Sequence, residues 1–289
     1  MVGWAIPLAI AAAAAWAVGM TLAKPALRHI DLLSYMLRSW SVVAFLAFVL
    51  GWVNGELFLP DIRLIALAAG AGLLDAVIGG LLYMTAMERM TAYQATTLAS
   101  TAPLWGVLCA ILFLGDPPQC SVILAAVVVV VGSFLLIGGR HSSSRADLRG
   151  SVLALSTGVL WGVAETVPSK LALDGGLSPA MLLLIFSLTA AGGAALLMPL
   201  LRKKIPRRID RRGVLLAVLS GAAGGGLGWV LWLSSLRLAS ASVISPVRGS
   251  TLLFCFIYSV AFLRERPSRL AVVGAGLVLM GVVLVSLVG

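Results

Sequence analysis

The sequence predicts an all-α polytopic membrane protein with ten transmembrane helices, arranged as two inverted five-helix repeats. Hydrophobic residues make up 61% of the chain and charged residues 11%, whereas soluble domains carry about 25% charged residues. Apolar runs recur at about the 20 residues that a helix needs to cross a bilayer. The second half of the chain also repeats the pattern of the first. These three observations predict the fold class.

The apolar runs predict ten spans in order along the chain. They cover residues 4–23, 30–53, 62–86, 93–114, 120–138, 151–169, 178–200, 213–236, 242–263 and 269–288. A polar connection, RHSSSRADLRG, runs from Arg140 to Gly150 at the middle of the chain. We therefore predict a first five-helix repeat over residues 1–139, a connecting loop over 140–150 and a second repeat over 151–289.

The two halves match each other in a single register without gaps. A shift of 149 residues superimposes glycines, a proline and an acid: Gly72 on Gly221, Gly79 on Gly228, Asp116 on Glu265 and Pro118 on Pro267. A shift of 145 residues places Trp16 on Trp161. An odd number of helices per repeat makes the second repeat enter the membrane in the opposite direction. Inverted repeats are typical of secondary transporters, whose substrate site lies between the repeats.

Short motifs in each repeat resemble those of the EamA-type members of the drug/metabolite transporter superfamily. They are Trp161 with Gly162 in the first helix of the second repeat, its weaker copy Trp16 with Ala17, and the segments FLGDPP (113–118) and FLRERP (262–267) that close the fourth helices. The resemblance covers nearly the whole chain. It implies a secondary carrier, commonly an exporter, of small polar or amphipathic metabolites such as amino acids. It also implies a multi-pass protein of the prokaryotic plasma (inner) membrane.

The net charge of +10 predicts a membrane topology rather than nucleic acid binding. Basic residues cluster between the apolar runs, where they meet anionic lipid headgroups. Sixteen lie in the loops after helices 1, 3, 5, 7 and 9, and three lie in the opposite loops, namely Arg63, Lys170 and Arg237. Because positively charged loops stay in the cytoplasm, we expect both termini to face outward. Typical members of the family that the motifs resemble have the reverse orientation.

Four charged residues lie well inside the predicted spans: Arg38, Asp75, Glu165 and Arg248. Such residues are candidates for function because a charge in hydrocarbon is costly. A rise of about 1.5 Å per residue places Arg38 and Asp75 at one depth, and Glu165 and Arg248 at another. Each repeat would then hold one matched acid and base. Two readings stay open, a transport site and two ion pairs that only lock helices together.

Aromatic and hydroxyl residues surround these charges at helical spacing. Such a lining suits a substrate with a charged head and an apolar or aromatic body. We expect Arg248 to anchor the anionic part of the substrate, with Glu165 as its partner in the empty state. The predicted substrate-binding residues are Trp16, Tyr83, Thr97, Thr101, Trp161, Glu165, Trp229, Trp232, Arg248 and Tyr258. Glycines in the third and eighth helices are expected to mark helix crossings.

The remaining chemistry-bearing residues do not predict an enzyme. Both histidines fall in loops, no nucleophile elbow is present, and the three cysteines indicate neither a disulfide framework nor a metal site. We expect no cofactor and no metal. The expected partners are a small-molecule substrate and membrane lipid, with protons as the candidate coupling ion, while the oligomeric state stays open. Two alternatives to a carrier remain: a lipid or lysolipid flippase on the same scaffold, and a membrane partner protein without transport activity.

Overall fold

A computed structural model describes residues 2–89, 92–137, 147–201, 209–263 and 268–287. Throughout these ranges the regular structure is helical and contains no strand. We number the helices by the predicted spans. They are α1 (Ala5–Ala26), α2 (Leu32–Val53), α3 (residues 62–89), α4 (residues 92–114), α5 (Cys120–Ile137), α6 (Leu148–Asp174), α7 (Pro179–Leu201), α8 (Arg211–Leu238), α9 (residues 241–263) and α10 (Arg269–Ser286).

The helix lengths support the membrane assignment. Within the described ranges, eight helices are long and apolar enough to cross a membrane, and two shorter apolar helices, Ala102–Leu114 and Cys120–Leu135, lie in α4 and α5. The all-helical polytopic class is therefore confirmed. The count of ten spans and the proposed boundaries between the two halves stay predictions. The largest difference from the predicted bounds is in α6, which was expected over 151–169 and spans Leu148–Asp174.

Polar side chains define the starts of several helices. Asp31, Asp147 and Ser268 each accept a hydrogen bond from a backbone N–H in the first turn of α2, α6 and α10. These contacts satisfy amides that have no partner within the helix. At the other end of α4, Gly115 takes a positive φ of 72°. The chain then turns so that Oδ2 of Asp116 accepts a hydrogen bond of 2.8 Å from the backbone N–H of Ser242, at the start of α9.

Irregular segments interrupt the third and fourth helices of both halves at matching positions. A π-helical segment spans Leu73–Gly79 in α3 and another spans Gly221–Gly228 in α8. The 149-residue shift places the first on residues 222–228. The turn that breaks α4 at residues 100–101 falls on residues 249–250, where a 3₁₀ segment of α9 ends. Segments of this kind frequently mark functional sites.

The helices pack in an exchanged arrangement between the halves. α1 packs against α8 and α9, while its counterpart α6 packs against α3 and α4. α2 packs against its counterpart α7, and α5 against α10. A pseudo-two-fold relation between two repeats produces this pattern. The expectation that glycines mark crossings is confirmed where α1 meets α8, because a Cβ on Gly19 would lie 2.8 Å from the Cα of Gly224.

The interior is built from small residues with a few large aromatic rings. Most buried core positions are alanine, with Trp232 and Phe186 among the largest fully buried side chains. The ring of Phe186 lies 4.4 Å from that of Trp229 and 5.3 Å from that of Trp40. Large apolar side chains such as Phe45 and Phe113 are exposed instead. This distribution suits helices that associate by close packing and present their outer faces to lipid.

Candidate functional site

An ion pair between Glu165 and Arg248 lies at the centre of the candidate site. The Nε of Arg248, in the 3₁₀ segment of α9, donates a hydrogen bond to Oε2 of Glu165 in α6. Glu165 is 3% exposed, and the side chain of Arg248 is 17% exposed. The acid and base that the sequence places at one depth therefore meet. Their mutual charge and hydrogen bond offset the cost of removing both groups from water.

Asp75 joins this pair from the other half of the chain. Its side chain lies in the π-helical segment of α3 and is 8% exposed. The π segment packs against α6, and the backbone oxygen of Asp75 accepts a hydrogen bond from the indole of Trp161, one turn before Glu165. Three of the four predicted intramembrane charges thus converge at one place.

The predicted matching of Asp75 with Arg38 is not what the structure shows. Nη1 of Arg38 donates a hydrogen bond of 3.0 Å to the backbone oxygen of Ser34 in its own helix. The depth estimate failed because α6 continues to Asp174, five residues beyond its predicted end. The depth of Glu165 was therefore estimated from helix bounds that the structure does not have.

Two indole rings flank the guanidinium group of Arg248. Its Cζ lies 5.4 Å from the ring centroid of Trp161 and 5.9 Å from that of Trp16, within the range of a cation–π interaction. Nε1 of Trp161 donates a hydrogen bond of 3.2 Å to the backbone oxygen of Asp75. Nε1 of Trp232 donates one of 3.3 Å to the backbone oxygen of Glu165. The tryptophans therefore hold the backbone that carries the acids.

Pro168 lies in α6 one turn after the ion pair. Because proline has no N–H, the carbonyl of Ala164 has no helical partner. The Oγ of Ser169 instead donates a hydrogen bond of 2.9 Å to this oxygen. The segment of α6 around Glu165 is thus stabilised despite the proline.

A narrow cleft without room for a water molecule adjoins the ion pair. Of the predicted residues, Glu165, Trp232 and Arg248 line it. The sequence analysis missed the other six lining residues: Ala102, Pro103, Gly106, Gly162, Thr166 and Ser245. They are small and uncharged, and apart from Gly162, which belongs to the Trp-Gly motif, their only sequence signal is the opportunity for close packing. A Cβ on Gly106 would lie 2.7 Å from the Oγ of Ser245, which shows how tightly α4 and α9 meet here.

The other predicted aromatic residues lie outside the lining of the cleft, although Trp16 and Trp161 contact Arg248. The rings of Trp16 and Trp229 are 5.8 Å apart, and those of Tyr83 and Trp161 are 5.3 Å apart. The hydroxyl groups of Tyr83 and Thr96 share a hydrogen bond of 2.5 Å. Tyr258 donates a hydrogen bond of 3.4 Å to the backbone oxygen of Ala14.

Thr101, one of the two predicted threonines of α4, does not line the cleft. The Oγ1 of Thr101 donates a hydrogen bond of 2.8 Å to the backbone oxygen of Leu98 and accepts one of 3.2 Å from Nε1 of Trp105. Thr101 therefore stabilises the turn that breaks α4. The side chain of Thr97 lies outside the described residues.

Comparison with known proteins identifies the family. The model of the EamA-like transporter family matches residues 3–138 and 148–287. A crystal structure of another protein superimposes with a TM-score of 0.85, covering 98% of this chain and 96% of its own at 17% identity, which establishes a shared fold. No curated protein matches the sequence. With a family model that matches nearly the whole of a multi-pass membrane chain, the protein belongs to the EamA-like transporter family.

Proposed function

We propose that the protein is a secondary active transporter that exports small polar or amphipathic metabolites, such as amino acids, by alternating access between its two repeats. The observation that carries the proposal is the setting of Arg248. Its guanidinium group is largely buried, paired with Glu165 and flanked by two indole rings. The adjoining cleft is lined by α4 of the first half and by α6, α8 and α9 of the second.

The chemistry of this site suits a substrate that is both anionic and apolar. A guanidinium group can bind a carboxylate through two parallel hydrogen bonds. The faces of Trp16 and Trp161 offer an apolar surface beside that anion. A substrate carboxylate would compete with Glu165 for Arg248. Glu165, once displaced into apolar surroundings, would take up a proton, which would couple substrate binding to proton movement.

The cleft in this conformation is too small for a metabolite the size of an amino acid, so transport requires the helices around it to separate. The hydrogen bond between Asp116 and the N–H of Ser242 closes α4 onto α9 at one end of the bundle. In the proposed cycle this contact opens on one side of the membrane. We place the protein in the plasma membrane with both termini outside, on the basis of the loop charges.

Ligand-dependent thermal stability tests the proposal first. The purified protein is heated with each member of a panel of amino acids and other small metabolites, beside the Arg248→Ala variant. We expect a subset of zwitterions or organic anions to raise the Tm of the unaltered protein only. Export is then measured as uptake into inside-out proteoliposomes. Stabilisation and transbilayer movement of a labelled lysolipid, without any metabolite response, would replace the carrier with the flippase alternative.

A further inference from the structure

Two carboxyl groups meet at the interface between the halves of the chain. Asp75 belongs to α3 and Glu165 to α6, and each is nearly fully buried. The π segment that carries Asp75 packs against α6, and Trp161, one turn before Glu165, donates its indole N–H to the backbone oxygen of Asp75 at 3.2 Å. Two ionised carboxylates are both hydrogen-bond acceptors and repel each other, so a hydrogen bond between them needs one proton.

The neighbouring charges set how many protons the pair can hold. Arg248 is the cation beside both acids. α7 also packs against the π segment of α3, and no charged residue occurs between Pro179 and Leu201. The one cation further along α6, Lys170, pairs with Asp174 at 3.0 Å and donates to the backbone oxygen of Leu236. With one proton on the two acids, the cluster of Asp75, Glu165 and Arg248 has no net charge. Without it, the cluster carries one negative charge in a largely apolar interior.

The backbone geometry around Asp75 suits a group that moves. Asp75 lies on a π-helical segment, in which the regular helical hydrogen bonds are rearranged. Its own carbonyl is held by the indole of Trp161, across the interface between the halves. If the pair lost its proton, Asp75 in α3 and Glu165 in α6 would both be negatively charged. They would then repel each other across the interface that the hydrogen bond of Trp161 joins.

We propose that Asp75 and Glu165 share a single proton across the repeat interface, with Arg248 balancing the remaining charge, and that this pair is the proton-binding site of the carrier. The transport role of the pair rests on the proposed function, whereas the shared proton does not. Proton release changes the cluster from neutral to one negative charge. The repulsion that follows separates α3 from α6. The proton therefore stabilises the conformation of this structure, in which α3 and α6 are in contact.

Infrared difference spectroscopy of the substrate-free protein in lipid tests the shared proton. At pH 7 free Asp and Glu carboxyls are ionised, so a protonated-carboxyl band reports an unusual group. We expect this band in the unaltered protein and in the control Glu56→Gln, whose acid lies in the loop between α2 and α3. We expect it to be absent from both Asp75→Asn and Glu165→Gln, because either variant leaves one acid to pair with Arg248.

Absence of the band from the unaltered protein, or its persistence in either site variant, would overturn the proposal. Because the unaltered protein supplies the first of these outcomes, the test does not depend on the variants folding. The experiment uses no substrate. A protein that shows the band and its loss in both variants but moves no metabolite in proteoliposomes would keep the shared proton and lose the transport function.

Discussion

The indole ring of Trp161 lies directly against Gly79, so that a Cβ on this glycine would sit 2.8 Å from Nε1 of Trp161. The same contact occurs with the halves exchanged. A Cβ on Gly228 would lie 2.6 Å from Cδ1 of Trp16. Each first-helix tryptophan thus packs against the glycine that ends the π segment in the opposite half. Both tryptophans flank Arg248, so these contacts position the site.

Alanine at either glycine should therefore destabilise the protein. Gly79→Ala would force the indole of Trp161 away from the backbone oxygen of Asp75, and overpacking of this kind costs about 1–3 kcal/mol. Gly228→Ala should behave similarly through Trp16. Thermal unfolding in detergent measures the effect. The matched controls are Gly70→Ala and Gly192→Ala, where an added Cβ meets no atom within 4 Å. Equal Tm values for site and control variants would contradict the described packing.

The fold followed from the sequence more completely than the site did. Gly79 and Gly228 agree in a gap-free register, and the structure places both at the ends of π segments. Apolar runs and matching glycines report on local packing, which the sequence carries directly. The convergence of Asp75 with Glu165 depends on where α6 ends and how it lies against α3. A depth estimated from one helix alone includes neither the observed end of α6 nor its contact with α3.

The cleft residues escaped sequence analysis for a related reason. Thr166 and Ser245 donate their hydroxyl groups to carbonyls of their own helices, an ordinary role for such residues in apolar helices. Their position beside Arg248 depends on the contact between α4, α6 and α9. Trp16 and Trp161, by contrast, were predicted, because their pairing in the repeat drew attention to them.

A surface ion pair between the halves should make stability depend on pH. Nη1 of Arg89, at the end of α3, lies 3.2 Å from Oδ2 of Asp147, before α6. The hydrogen bond from Arg89 lowers the pKa of the Asp147 carboxyl below its usual value. The contribution is therefore complete at neutral pH and is lost as the pH falls through the lowered pKa.

The variant Asp147→Asn tests this dependence, because asparagine can still accept the N–H of Arg149 at the start of α6. We expect the Tm of the unaltered protein to exceed that of the variant at pH 7. The difference should shrink as the pH falls below about 4, the usual range of an aspartate. A Tm difference that stays constant between pH 7 and pH 3 would show that the charge of Asp147 does not contribute.

The topology predicted from loop charge has a direct test. A reporter enzyme that is active only outside the cytoplasm, fused after Gly289, should be active in cells. The prediction rests on sixteen basic residues in the loops assigned to the cytoplasm and three in the opposite loops. The fusion is therefore repeated in a variant whose basic residues in 202–212 are replaced by uncharged ones, which leaves nine basic residues against three. Activity of a cytoplasmic reporter at the same position in the native sequence would reverse the assignment.

Glu165→Gln should abolish concentrative transport in proteoliposomes with an imposed proton gradient. The amide cannot release a proton, yet it keeps nearly the shape of the acid, so binding and equilibrative exchange should remain measurable. Glu56→Gln serves as the control and should transport like the unaltered protein. Uphill transport retained by Glu165→Gln would remove this residue from the coupling mechanism.

We propose that Arg248 anchors the anionic part of the substrate, so substrate affinity should depend on this side chain. Affinity is measured by tryptophan fluorescence quenching, using a metabolite identified from the thermal panel. Arg248→Lys keeps the charge but loses the planar fork, so affinity should fall by roughly tenfold, about 1.4 kcal/mol. Arg248→Ala should lose binding and leave the Asp75–Glu165 pair without its cation, at a stability cost of about 3–5 kcal/mol.

The double variant Arg248→Ala with Glu165→Ala separates binding from stability, because it also removes the acid that has lost its cation. We expect it to recover part of the Tm lost by Arg248→Ala without recovering affinity. The deciding measurement is the dissociation constant of Arg248→Ala beside that of the unaltered protein. We expect the variant to lose binding, and an unchanged dissociation constant would show instead that Arg248 only locks α9 to α6.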